Sequence, residues 1–110
     1  MIDVELTRAL ERGEVPNAGF RHASHLRVAL VYLNESASVD DAIDRMATTL
    51  QRFAASVGHP EKYSQATTEF WMHQMAAVGA LLPEADCDAL LAAFPWLLDK
   101  NLARAACETR

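Results

Sequence analysis

The stretch F-R-H-A-S-H-L-R-V-A-L-V-Y-L, residues 20–33, puts two histidines three positions apart in an otherwise apolar run. Nothing in it alternates as a half-buried strand would, and it exceeds the usual strand length, so it reads as a helix. At about 100° of rotation per residue, His22, His25, Leu26, Ala29 and Leu33 gather on one side, while Ser24, Arg27 and Asn34 gather on the other. Both imidazoles therefore face inward. A buried imidazole needs a partner for each nitrogen, because an unsatisfied polar group costs about 1–3 kcal/mol.

Working outward, chain breakers divide the rest into further helices. Residues 3–12 carry Leu6 and Leu10 at helical spacing and stop at Gly13, before the turn Pro16-Asn17-Ala18-Gly19. The third helix has the clearest start: Ser38 as N-cap, with Asp40 and Asp41 in the first turn, where they complement the helix dipole. Its apolar positions Ile43, Met46, Leu50, Phe53 and Val57 step by three and four, and Gly58-His59-Pro60 ends it. A fourth helix is expected over 61–82, a fifth over 84–93 and a short last one over 96–106, with breaks at Pro83 and Phe94-Pro95. The expected architecture is all-α: a compact bundle of five to six antiparallel helices forming a single domain over residues 1–110.

Composition narrows the function. Half of the 110 residues are apolar, enough for one domain that buries roughly two thirds of its unfolded surface. Ten Lys and Arg against fifteen Asp and Glu give a formal charge of -5, which repels phosphate backbones and anionic lipid. Neither nucleic acid nor a membrane is an expected partner. No apolar run approaches a membrane span and the start lacks a secretory pattern, so a cytoplasmic location is expected. Cys87 and Cys107 form no CxxC and read as two reduced thiols rather than a disulfide or zinc knot. G-x-S-x-G, a phosphate-cradling glycine loop and H-E-x-x-H are all missing, which leaves hydrolase, nucleotide and zinc-protease routes unsupported.

The paired histidines raise a metal site, since Glu69 and His73 in E-F-W-M-H offer a second pair at i, i+4. The helical wheel argues against it. The apolar centre of the fourth helix is set by Trp71, Met75, Val78 and Leu82, which turns Glu69 and His73 toward solvent. No metal or cofactor is assigned. On the inward side of that helix stand Ser64 and Thr68, beside Trp71, and their hydroxyls are the expected partners of His22 and His25.

Four segments taken in order carry a resemblance: F-x-H-x-x-H-L-x-V-A, then R-F-A-A-x-x-G over 52–58, K-Y-x-x-x-x-T-x-F-W over 62–71, and P-W-L-L-D-K over 95–100. Together they resemble a largely uncharacterised family of small bacterial proteins. The likeness spans residues 20 to about 100. It implies a shared helical fold and a pocket around His22, His25 and Thr68. Family members carry His-Glu directly after the Lys-Tyr pair, where this chain has Ser64 and Gln65, and they continue with Tyr-Ser and Ala-Arg stretches that A-C-E-T-R does not reproduce. The resemblance implies that any family chemistry needing that histidine is absent here.

Two function classes follow. One is a small-molecule pocket between the second and fourth helices, with His22, His25 and Thr68 as candidate catalytic groups and Tyr32, Ser64 and Trp71 as binding groups. Its chemistry, if any, would be proton transfer with His22 as base. The other is a non-catalytic interaction module or homodimer, resting on the apolar fourth helix and the corner Phe94-Pro95-Trp96-Leu97-Leu98. The plain reading of both apolar features is bundle core, and Met72 and Met75 read as core filler too. His59 is expected to be exposed in its turn. Arg21 and Arg27 flank the histidines and are expected to pair with surface acids.

Overall fold

The computed structural model describes residues 3–108, apart from the side chains of Asn17 and of residues 105–108, so the side chain of Cys107 lies outside the described residues. Six α-helices are present among them: α1 (Asp3–Glu11), α2 (His22–Glu35), α3 (Val39–Ser56), α4 (Gln65–Leu81), α5 (Cys87–Ala93) and α6 (Asn101–Glu108). Single 3-10 turns sit at Asn17–Gly19, Pro60–Lys62 and Pro95–Leu98, and no described residue is in a strand. The all-α expectation holds. No helix among the described residues is long and apolar enough to cross a membrane.

Local chemistry sets the helix ends. The Ser38 hydroxyl accepts the Asp41 amide, Ser64 accepts that of Thr67, and Asp86 accepts that of Ala89. Each cap satisfies one amide that the first turn leaves unpaired. At the other end, α1 and α3 close with the same motif. Gly13 and Gly58 take positive φ, 72° and 82°, while His59 N–H reaches the Ala54 carbonyl and Glu14 N–H that of Ala9. This six-residue closure needs a left-handed residue, which glycine adopts without a Cβ clash.

Helices α2, α3 and α4 pack on one another, α1 covers α2 and α3, and α6 lies on α4. One apolar cluster runs through the molecule, with Leu26, Val28, Tyr32, Met72, Met75, Leu90 and Leu97 fully or almost fully buried. Helix α2 is more central than a one-sided helix would be. Val28, Leu30 and Val31 are buried as well as Leu26 and Ala29, because α1, α3, α4 and α5 surround it. Met72 and Met75 are core, whereas Leu81 and Leu82 at the end of α4 are exposed.

The fourth helix begins later than its apolar pattern suggests. Pro60 starts a 3-10 turn that runs to Lys62, and α4 restarts only after the Ser64 cap. The fifth and sixth helices are likewise delayed, by the Asp86 cap and by the Pro95–Leu98 turn.

Candidate functional site

A cleft of about 440 Å³ opens where α2, α3 and α4 meet, with His22 and His25 both in its wall. From α2 and its lead-in come Phe20, Arg21, the two histidines and Ala29. Helix α3 supplies Met46, Leu50, Phe53, Ala54 and Val57, and α4 supplies Thr67, Thr68, Trp71 and Met72. The closure at Gly58 turns the chain so that His59, Lys62, Tyr63 and Ser64 cross the mouth, and Lys100 stands on the rim. The lining is mostly apolar, within the size range of ordinary small-molecule sites.

The histidines are tied to backbone carbonyls, not to the hydroxyls of α4. His22 Nε2–H donates to the Leu97 carbonyl at 2.7 Å, and His25 Nδ1–H donates to the Arg21 carbonyl at 3.0 Å. A carbonyl only accepts, so these bonds fix the tautomers and leave His22 Nδ1 and His25 Nε2 as lone-pair acceptors. Neither of these two nitrogens has a hydrogen-bond partner among the described residues. His22 also meets the Trp71 ring edge to face with centroids 4.6 Å apart, and His25 lies 4.2 Å from the Phe20 ring. Burial pushes the His25 imidazole below its ordinary 6.5, against the opposing pull of the Arg21 carbonyl. The neutral form is therefore favoured.

Ser64 and Thr68 line the same cleft, yet neither bonds to an imidazole. Ser64 caps α4, and Thr68 Oγ1 donates to the Ser64 carbonyl at 2.9 Å. Both hydroxyls serve the first turn of α4, as Ser and Thr near helix starts commonly do. This corrects the expectation that they satisfy the histidines.

Tyr32 stands outside the cleft altogether. It continues the stripe of His22, His25 and Ala29, but two turns beyond His25 it has passed roughly 10 Å along the helix into a separate polar compartment. Its hydroxyl donates to Glu11 at 2.6 Å and accepts from Thr49 at 2.7 Å, and the Arg45 guanidinium lies over its ring. Burial together with the Glu11 carboxylate pushes this phenol up to about 12. Tyr32 holds α1, α2 and α3 together and is not placed to bind what the cleft binds.

The charges divide in the same way. Arg8 pairs with Glu11 and Glu35, Arg12 with Glu14, Arg27 with Asp3 and Asp88, and Arg45 with Glu35. Arg21 departs from expectation: it makes no ion pair among the described residues, and only its Nε reaches a backbone carbonyl, that of Ala18. His59 is exposed as expected and pairs with Glu61 at 3.3 Å. Glu69 and His73 are exposed on α4, and no group of three or more His, Cys, Asp or Glu among the described residues is arranged to hold a metal ion.

The wall provided by α3 and the two rim lysines are the parts that sequence reading missed. The R-F-A-A-x-x-G segment carried a signal, since Phe53 continues the apolar stripe of α3 to the cleft end. Lys100 is brought in by the turn at Pro95–Leu98; the Phe94-Pro95 break announces a turn there but not the direction in which it sends the chain. Comparison with family models, with curated proteins and with solved structures finds no match.

Proposed function

We propose that this protein binds a small, largely apolar molecule in the cleft between α2, α3 and α4, with His25 as the group able to take a proton from it. One observation carries the reading: two imidazoles, each anchored through one nitrogen and without a protein partner at the other, share the wall of one mostly apolar cavity. Anchoring fixes the ring, and an unpartnered lone pair is what a general base needs. Burial favours the neutral form of His25, the form that can accept a proton. The resemblance to the F-x-H-x-x-H family, if it holds, implies a pocket at the same residues. Position 64, where that family carries histidine, lies in the cleft lining.

The test uses the neutral dye N-phenyl-1-naphthylamine, whose fluorescence rises in an apolar cavity. The wild-type chain is expected to bind it, and Ala54→Trp, which fills the cleft from a half-buried position, is expected to abolish binding while the chain stays folded. Equal binding by both proteins would remove the cleft from consideration.

A second reading has its own observation, the exposure of Trp96 (42%) and Leu98 (50%) at the Pro95–Leu98 turn. Apolar side chains left in water favour a covering partner or a second copy. Sedimentation of the wild-type chain and of Trp96→Glu checks it: a dimer dispersed by the substitution supports this reading, and a monomer in both cases opposes it.

A further inference from the structure

The cleft joins an apolar floor to a cationic rim. Phe20, Leu50, Phe53 and Met72 furnish hydrocarbon, while Arg21, Lys62 and Lys100 stand in the same lining, which contains no Asp or Glu. That is unexpected on a chain with fifteen acids and a formal charge of -5. Four of the arginines are neutralised by acids elsewhere; Arg21, Lys62 and Lys100 make no ion pair among the described residues, a state they share with Arg52 in the polar compartment of Tyr32. Glu61, the acid next to Lys62, pairs with His59 and feels the Lys62 charge only without direct contact. Cations left unpaired around an apolar hollow raise the local concentration of anions and favour an anionic head over a neutral one.

We propose that the cleft takes an apolar carboxylate, its hydrocarbon part on the α2–α3–α4 floor and its head among Arg21, Lys62 and Lys100; this rests on the small-molecule reading above. At a liquid-like ~30 Å³ per heavy atom, about 440 Å³ holds roughly fifteen non-hydrogen atoms, the size of a medium-chain fatty acid or a two-ring aromatic acid. A carboxylate fits better than a phosphate ester. The Thr68 hydroxyl proton and the N–H of each imidazole are already given to backbone carbonyls, so beyond the Ser64 and Thr67 hydroxyls a dianion would depend on the exposed rim cations.

The experiment is displacement of N-phenyl-1-naphthylamine from the full chain near neutral pH. The competitors are decanoate below its micelle concentration, decanol and decyl phosphate. They are tested on the wild type and on Arg21→Gln/Lys62→Gln/Lys100→Gln, whose three sites are exposed. Decanoate is expected to compete about tenfold better than decanol on the wild type, with that advantage lost in the triple variant, as three exposed charge contacts would give. Decanol competing as well as decanoate, or an unchanged advantage in the triple variant, overturns the carboxylate while leaving the small-molecule cleft standing. Decyl phosphate competing better than decanoate overturns the choice of head group. Failure of the dye itself to bind in an Ala54-dependent way takes away the underlying reading, and this proposal with it.

Discussion

Replacing His22 with alanine tests the tie between α2 and the Pro95–Leu98 turn. The substitution removes the Nε2–H bond to the Leu97 carbonyl at 2.7 Å and the edge contact with Trp71 at 4.6 Å. A partly buried carbonyl left without its donor costs about 1 kcal/mol at the low end, and the ring contact contributes about 1 kcal/mol more. The sum, about 2 kcal/mol, lowers the melting temperature of a domain of this size by roughly 8 °C. His22→Gln, whose amide nitrogen can stand where Nε2 does, should recover about half of the loss. Thermal and urea unfolding followed by far-ultraviolet circular dichroism measure both variants. A His22→Ala chain within about 0.5 kcal/mol of wild type, the range of an inert surface change, would refute the proposed tie.

Other expectations follow from the polar contacts. Tyr32→Phe should cost about 2 kcal/mol in urea unfolding, because it deprives Glu11 and Thr49 of their partner; dye binding in the cleft should not change. Ser64→Ala should lose about 1 kcal/mol through the missing α4 cap, with Ser64→Asp close to wild type. His25 has a folded pKa below 6.5, so the unfolded chain binds more protons in that window, and stability should fall as pH drops from about 6.5. Urea unfolding between neutral and mildly acid pH should show His25→Gln without that part of the slope. Glu11 and Glu35 behave separately: burial pushes Glu11 up but the hydrogen bonds from Tyr32 and Arg8 together with the nearby guanidinium charges bring it below its ordinary value, the Arg8 hydrogen bond chiefly lowers Glu35, and their contributions are lost only in more acid solution.

Particular residues show how far the chain could be read before its fold was known. Ser38 and Gly58 announce the ends of α3 because capping chemistry is local, and both act as their residue types suggest. The wheel places Trp71, Met75 and Val78 inward on α4 and Glu69 and His73 outward, which the structure repeats, but Leu82, placed inward with them, is exposed just past the helix end. Periodicity gives direction around a helix but not the partner met there. His22 and His25 do point toward the interior that Thr68 shares, yet they are satisfied by carbonyls seventy-five and four residues away in the chain, respectively. Backbone acceptors have no residue type, so sequence cannot flag them. Tyr32 misleads for a related reason: it is on the right side of α2 but too far along its axis, and the boundary between cleft and polar compartment is drawn by α3, through Met46 and Leu50 on one side and Arg45 and Thr49 on the other.

Nitrogen-15 NMR of labelled protein titrated with decanoate, and in parallel with decanol, tests the cleft most directly. The His25 ring nitrogens and the Trp71 indole should shift together on addition, while the Trp96 indole stays in place. If neither compound moves a His22, His25 or Trp71 resonance, or if the response centres on Trp96, the cleft is not the binding site.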